Sequence, residues 1–299
     1  MMMRWITTCA LLAFSASTWA ISPYIQGDSI SGANAQAIAT AVETKLKNGG
    51  FKVIGKYFPK TLAGYGVVVA TDENMLDTVG SVGGNAILGA AIRVGVKADG
   101  TVTYTNPDYW YRAYFRKGFA QKEPAVKALQ AKLQDALGAG KGVGGDESAG
   151  TLTNYRYMIG MERIDSPKAK LAEHGSFAEA VKAVRDNLAK GGKTTKVYEV
   201  VMPDRKLAVF GVAMSDGPNN DGDWLKKIEQ QNLVAGLPYE VIVVGDTVSS
   251  PYARFRIALA FPDVGMGQFM RISSLPAAVK QMMETVAGTV KKEEVSAWQ

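Results

Sequence analysis

The chain has 299 residues, of which 47% are hydrophobic and 21% charged, and its 34 Lys and Arg residues exceed its 28 Asp and Glu residues to give a net charge of +6. A chain of this length can bury large cores without disulfides or metals, and its length alone predicts two domains. The basic residues are spread along the sequence rather than clustered, which argues against a nucleic-acid partner.

The first twenty residues have the pattern of a secretory signal peptide. Arg4 supplies a positive start, an apolar run extends from Ile6 to Phe14, and small residues follow up to Ala20. The apolar run is shorter than the ~20 residues that a transmembrane helix needs. We therefore expect cleavage after Ala20, a periplasmic or secreted protein, and no transmembrane segment after that cleavage; an uncleaved anchor is the alternative.

Two residue types that commonly carry catalysis and metal binding are nearly missing from the sequence. Removal of residues 1–20 takes away Cys9, the only cysteine, so the mature protein would have no disulfide and no Cys-ligated metal. The single histidine, His174, lies two residues before Ser176, which we predict to be a helix N-cap, and we expect an exposed loop histidine there. One histidine excludes a zinc site built on histidines and argues against Ser-His-Asp catalysis.

The first half of the mature chain begins with an amphipathic helix that ends at the glycine pair Gly49 and Gly50. Strands are predicted after it at 51–54, 65–70, 92–96 and 102–105, and then a helix that opens on Pro124. Residues 138–150 contain six glycines and show no apolar period, which predicts a flexible linker.

The second half repeats this order of elements. A helix over 177–190 ends at Gly191 and Gly192. Strands are predicted after it at 207–212, 239–244 and 254–260, and then a helix that opens on Pro276. The last pair of strands in each half ends in Pro-Asp, at 107–108 and at 262–263.

The matching order predicts a tandem duplication. We expect an α+β fold made of two copies of a small α/β sandwich unit, each with about four strands backed by helices on one face. The copies would occupy residues 21–137 and 151–299 and would be related by an approximate two-fold axis.

The first half resembles the bacterial domain of unknown function 302. The resemblance rests on Gly-Phe-Lys-Val at 50–53, Ile-Arg-Val-Gly-Val at 92–96, Asp-Gly at 99–100 and Val-Thr-Tyr-Thr-Asn-Pro at 102–107. It covers residues 33–137 and extends through the internal repeat to 176–290, where Ala260-Phe261-Pro262 departs from the pattern. It implies a small α/β domain and no catalytic residue, because no activity defines that family.

The segment that follows each Pro-Asp pair combines apolar residues with cations, as binding surfaces do. The residues that we expect to bind a ligand or partner are Trp110, Tyr111, Arg112, Tyr114 and Arg116 in the first copy, and Phe269, Met270 and Arg271 in the second. Together they would wall a groove between the domains for an apolar ligand with a negative charge. The alternative is that both segments pack the two domains against each other.

Two further patterns point to metals. Met158 and Met161, and again Met266 and Met270, carry thioethers, which are ligands for Cu(I) but also common core residues. Residues 216–223 gather carboxylates and amides that could bind calcium, although an EF-hand would need different residues, and a solvated turn is the ordinary interpretation.

Three classes of function follow from these patterns. An exported soluble binding or accessory protein, whose partner is an unknown small molecule or protein, accounts best for the missing catalytic residues. A periplasmic protein that handles copper, calcium or haem is the second class, with cofactor and metal content left open. An enzyme that uses only carboxylates is the third, and it would need Asp108 and Asp263 to converge in one cleft.

Overall fold

The computed structural model describes residues 20–158 and 160–288. Its strands are Ala20–Ile21 (β1), Tyr24–Gln26 (β2), Lys52–Tyr57 (β3), Tyr65–Thr71 (β4), Ile92–Lys97 (β5), Val102–Thr105 (β6), Gly142–Val143 (β7), Glu147–Ser148 (β8), Lys170–Glu173 (β9), Thr194–Met202 (β10), Leu207–Met214 (β11), Tyr239–Val244 (β12) and Thr247–Ser249 (β13). Its α-helices are Ala35–Asn48 (α1), Glu73–Val82 (α2), Pro107–Phe115 (α3), Phe119–Leu137 (α4), Ala149–Thr153 (α5), Phe177–Ala189 (α6), Asp221–Lys227 (α7), Ala253–Ala260 (α8), Met266–Met270 (α9) and Leu275–Ala287 (α10).

The opening helices of the two halves form where the sequence predicts them. Asn34 caps α1, since its side chain accepts a hydrogen bond from the Ala37 amide, and Ser176 caps α6 in the same way through the Glu179 amide. Each helix buries one apolar stripe, which includes Val42 and Leu46 in α1 and Val184 and Leu188 in α6.

Two antiparallel sheets form an α+β fold. The first has six strands in the order β3-β4-β5-β6-β2-β7, and the second has five in the order β10-β11-β12-β13-β9. The two orders correspond strand by strand, apart from the extra edge strand β7. This shared order is what a duplication would leave, and the duplication itself stays a prediction.

Three predicted details were wrong. Residues 254–260, predicted as a strand, lie in α8, and the strand that follows β12 is β13. The Pro262-Asp263 pair therefore follows a helix and does not correspond to Pro107-Asp108, which opens one. Pro124 does not open a helix, because α4 begins at Phe119 and carries Pro124 inside it.

The glycine-rich segment 138–150 has regular structure of its own. Strand β7 extends the first sheet by pairing with β2, and β8 pairs with β1, so that Ile21 lies opposite Glu147. Helix α5 begins at Ala149, immediately after β8. The segment therefore pairs with the N-terminal strands β1 and β2. It is not the flexible linker that its glycines predict.

Each half covers one face of the other half's sheet. The 3-10 helix Gly84–Ala90 packs on β11 and β12, and the 3-10 helix Gln231–Gly236 packs on β4, β5 and β6. A Cβ atom at Gly95 would lie 2.9 Å from the Ala235 amide nitrogen, so this approach requires glycine. Since successive side chains of a strand point to opposite faces, the complete burial of β11 shows that both faces of that strand are covered.

The buried apolar residues of both halves form one continuous core. Within residues 20–158 and 160–288, no helix combines the length and the apolar character needed to cross a bilayer. The predicted signal peptide, apart from Ala20, lies outside the described residues.

Candidate functional site

The aromatic residues of α3 lie in the core rather than on a groove. Trp110 and Tyr111 are 2% exposed and Tyr114 is 5% exposed. The Tyr109 hydroxyl donates a 2.8 Å hydrogen bond to the Leu259 carbonyl of the second half. This burial supports the alternative interpretation, in which the segment packs the two domains together.

Trp110 contacts two buried arginines, one from each half. The guanidinium carbon of Arg93, on β5, is 4.8 Å from the centre of the Trp110 ring, and that of Arg256, on α8, is 5.1 Å from it. The indole Nε1 donates to the Pro23 carbonyl at 2.8 Å. Cations over the face of an indole are attracted by its quadrupole, so Trp110 stabilises both charges.

Glu240, on β12, joins the same two arginines. Its Oε1 accepts from Arg93 Nη1 and, at 3.0 Å, from Arg256 Nη2, while its Oε2 accepts from Arg256 Nε at 2.8 Å. The three side chains are at most 3% exposed. Burial alone lowers the pKa of Arg256, but Glu240 raises it above its ordinary value, so the guanidinium stays charged. We call these residues, with Trp110, Tyr24 and Tyr114, the Trp110 cluster.

The remaining predicted cations are paired with acids. Arg112 contacts Asp108, with Nε 3.0 Å from Oδ1, and lies over the Phe119 ring at 4.0 Å. Arg116 pairs with Asp165 at 2.5 Å. Arg271 pairs with Glu229 at 2.5 Å on the surface. Arg112 and Arg116 thus belong to a different part of the structure from Arg271.

Among the described residues, the side chains predicted for a carboxylate site or a metal site do not come together. Asp108 is held by Arg112, whereas the side chain of Asp263 lies beside Gly145. Among the described residues, no group of three or more His, Cys, Asp or Glu could hold a metal ion. His174 is part-buried and its Nε2 lies 3.0 Å from the Ala287 carbonyl oxygen.

The candidates of the second half, Phe269 and Met270, border an open cavity of about 480 Å³, which we call the methionine cleft. It lies between α9, the N-terminal ends of α8 and α10, and the segment that precedes β9. Its lining residues are Tyr157, Met161, Tyr252, Arg254, Met266, Phe269, Met270, Ile272, Ser273, Pro276, Ala277 and Lys280. This volume is within the range of small-molecule sites.

Large exposed apolar side chains of the described residues are concentrated at this cleft. Across the described residues, the large hydrophobic side chains that are strongly exposed are Met158 at 46%, Met266 at 52% and Met270 at 62%, and the last two line the cleft. Met266 and Met270 are four residues apart on α9 and therefore share a helix face. Exposed apolar residues that gather at one place indicate a binding surface.

A stacked aromatic pair forms one wall of the cleft. The rings of Tyr157 and Phe269 are 5.0 Å apart at an interplanar angle of 21°. Tyr157 precedes Met158 in the segment between α5 and β9, and Phe269 lies on α9, so the stack joins two elements. A wall of this kind is a flat apolar surface on which an alkyl chain or a ring can pack.

The charges at the cleft are positive. Arg254 Nη2 donates to the Tyr252 hydroxyl at 3.4 Å, and Nη1 lies 3.8 Å from the Met161 sulfur. The hydrogen bond to Tyr252 raises the pKa of Arg254, with Glu162 adding to the effect. No carboxylate of the described residues forms an ion pair with Arg254, whereas Lys280 pairs with Glu284 at 3.7 Å. The guanidinium is therefore available to a ligand's anionic group.

Three other cavities of similar volume lack this combination, and one of them, of about 520 Å³, is lined by Lys45, Lys132 and Asp135 among others. One of about 450 Å³ in the first half is lined by Asp72 and Lys132, which already form an ion pair with each other. One of about 410 Å³ lies between the C-terminal ends of α6 and α10 beside Lys190 and Lys193. None of the three contains the exposed methionines.

The sequence predicted part of this cleft. Phe269 and Met270 were predicted to bind a ligand, and Met161 and Met266 were noted as thioethers. Arg254 was missed because Arg254-Phe255-Arg256-Ile257 alternates polar and apolar residues, which is typical of a strand. Tyr157 carried no periodic signal that could have placed it opposite Phe269.

No protein family, curated protein or solved structure matches this chain. The resemblance to the domain of unknown function 302 therefore stays a prediction, and the functional argument depends on the geometry of the chain itself.

Proposed function

We propose that this is an exported binding protein whose methionine cleft takes an apolar ligand with a carboxylate or a similar anionic group. The observation that carries the proposal is that Met266, Met270 and the Tyr157–Phe269 stack meet at one cavity beside the guanidinium of Arg254, which Glu162 influences electrostatically but which forms no ion pair with any described residue. The apolar part of the ligand would pack on the thioethers and rings, and Arg254 would pair with its anion. The signal-peptide pattern supports export.

Copper binding is the second candidate, because Met161, Met266 and Met270 place three thioethers at the same cavity. The charge of the cleft argues against it. Both charged lining residues, Arg254 and Lys280, are cations and would repel Cu(I). The same charges favour an anionic ligand.

The test compares two probes that differ only in charge. Purified protein is titrated with cis-parinaric acid, a fluorescent polyene carboxylate, and with its methyl ester. We expect the acid to bind more tightly than the ester, and Arg254→Gln to weaken the acid by about tenfold, which is the size of one charge-assisted hydrogen bond. Binding of the ester should be unchanged in that variant.

Arg271→Gln is the matched control, since Arg271 is a neighbouring surface arginine that does not line the cleft. It should leave both affinities as in the unmodified protein. Equal affinities for acid and ester, or equal losses in the two arginine variants, would contradict the proposal. Tight binding of Cu(I) with no binding of either probe would support the copper candidate instead.

A further inference from the structure

The Trp110 cluster contains buried polar atoms that have no well-aligned hydrogen-bond partner among the described residues, although the Arg93 guanidinium lies close enough to the Tyr114 hydroxyl to act on its pKa. Six buried side-chain polar atoms of the described residues have no hydrogen-bond partner, and three of them are Arg93 Nε, the Tyr24 hydroxyl and the Tyr114 hydroxyl. The rings of Tyr24 and Tyr114 lie 6.1 and 5.7 Å from that of Trp110, and the Arg93 guanidinium lies 4.8 Å from it. Buried donors are rarely left unpaired, so three around one ring indicate a missing partner.

The charge of the cluster has the same implication. Two guanidinium groups, of Arg93 and Arg256, share the single carboxylate of Glu240, and all three are shielded from water. This leaves one positive charge in excess, and a buried charge without compensation is costly. The partner that the cluster lacks is therefore negative.

Asp221 is a second buried carboxylate that interacts electrostatically with Arg256. Arg256 acts on it electrostatically, but burial dominates and raises its pKa to about 7. Its oxygens already accept from the Tyr57 hydroxyl, the Met214 amide and the Trp224 indole. Asp221 thus has its own donors and is largely neutral below pH 7.

The chemistry of the unpaired atoms favours an anion over water. A guanidinium only donates, and a phenolic hydroxyl can donate. A water molecule would bring two hydrogens that need acceptors, whereas a halide accepts from every donor and also neutralises the excess charge. We propose that a small monovalent anion of the size of chloride binds between the two halves at Arg93, Tyr24 and Tyr114.

A thermal unfolding experiment tests the site in the full mature chain. The midpoint is measured as sodium chloride or bromide replaces sodium gluconate at constant ionic strength, because a ligand that binds only the folded state raises the midpoint with its concentration. We expect a rise with either halide. Tyr114→Phe keeps the ring and removes one donor, and it should weaken the halide affinity by about tenfold.

The control is Tyr65→Phe, which removes a hydroxyl that bonds Asn232 across the domains away from Trp110. It should keep the halide dependence of the unmodified protein. Crystals grown in bromide give a readout that does not depend on the stability of any variant: an anomalous peak in contact with Arg93 Nε and the two hydroxyls is expected. A halide-independent midpoint, or water in place of the anomalous peak, would overturn the proposal.

Discussion

At the scale of single residues, Asp221 is the most unusual side chain. It lies in the acidic segment 216–223, whose composition is that of a solvated turn, yet its carboxylate is completely buried. Burial raises its pKa to about 7, although hydrogen bonds from the Met214 amide and the side chains of Tyr57 and Trp224 act in the opposite direction. Because Tyr57 belongs to the first half, the titration of Asp221 bears on the contact between the halves.

The raised pKa of Asp221 predicts a pH dependence of stability. Between about pH 4 and 7 the folded protein keeps a proton on Asp221 that the unfolded chain has lost. The stability that this retained proton gives to the folded protein is therefore fully present below pH 4 and is lost as the pH rises through 7. Since Asn cannot ionise, Asp221→Asn should gain stability relative to the unmodified protein over that window, by up to roughly 4 kcal/mol. Urea unfolding at several pH values measures the difference.

Asp223 supplies the control for this experiment. It lies two residues away, is only partly buried, and its pKa is lowered, chiefly by a hydrogen bond from Asn220. Asp223→Asn should therefore show no gain between pH 4 and 7. If the free energies of unfolding of Asp221→Asn and the unmodified protein differ by the same amount throughout this pH window, the carboxylate of Asp221 is already ionised in the folded protein.

At the scale of elements, the ion pair between Arg93 and Glu240 joins corresponding positions. Arg93 is the second residue of β5 and Glu240 is the second residue of β12, and these strands are third in their sheets. The reciprocal packing of the halves brings the two positions together. Two identical halves would have placed equal charges there, so the difference between the copies favours their pairing with each other.

The buried Arg93–Glu240–Arg256 group predicts a specific pattern of stability. Glu240→Gln leaves two buried guanidiniums without a counter-charge and should cost about 3–5 kcal/mol. The triple variant Arg93→Met, Glu240→Leu, Arg256→Met removes all the buried charges and should cost much less than Glu240→Gln alone. Chemical denaturation of the three proteins checks the order, and a triple variant less stable than Glu240→Gln would show that the charges contribute net stability.

The elements differ in how far the sequence predicts them. Helices α1 and α6 lie on the surface of a sheet and show a clear apolar stripe, so their position and their ends could be predicted. Helix α8 is buried on nearly all sides, and no polar face remains to reveal the helical period. The aromatic residues of α3 predict a contact surface, but they do not show whether it contacts a ligand or the other half. Aromatic residues are common in binding surfaces and in buried packing surfaces alike.

At the scale of the whole molecule, the sequence predicts the α+β fold that the structure confirms, and it singles out Phe269 and Met270, which line the methionine cleft. It could not predict that each half covers the other's sheet, because that contact depends on short 3-10 segments without a periodic pattern. Nor could it predict that Tyr157 and Met161 would meet α9 in space. Long-range placement of irregular segments follows from packing rather than from local preference.

The signal-peptide pattern predicts the N-terminus of the whole molecule. Protein isolated from the producing cell should begin at Ile21, because small residues end at Ala20 and the apolar run is too short to remain as an anchor. Intact-mass spectrometry with N-terminal peptide mapping measures this. A chain that retains Met1 would contradict both the cleavage and the proposed export.

If the chain is cleaved after Ala20 as predicted, the pairing of β1 with β8 implies an order of events. The bond between Ala20 and Ile21 lies inside the two-residue strand β1, whose partners, Ser148 and Glu147, come more than a hundred residues later in the chain. A peptidase needs an extended and unpaired substrate, so the cut must come before the middle of the chain has folded back onto its start. After such a cut, the new positively charged amino group would belong to Ile21, the residue opposite the acidic Glu147 in the β1–β8 pair.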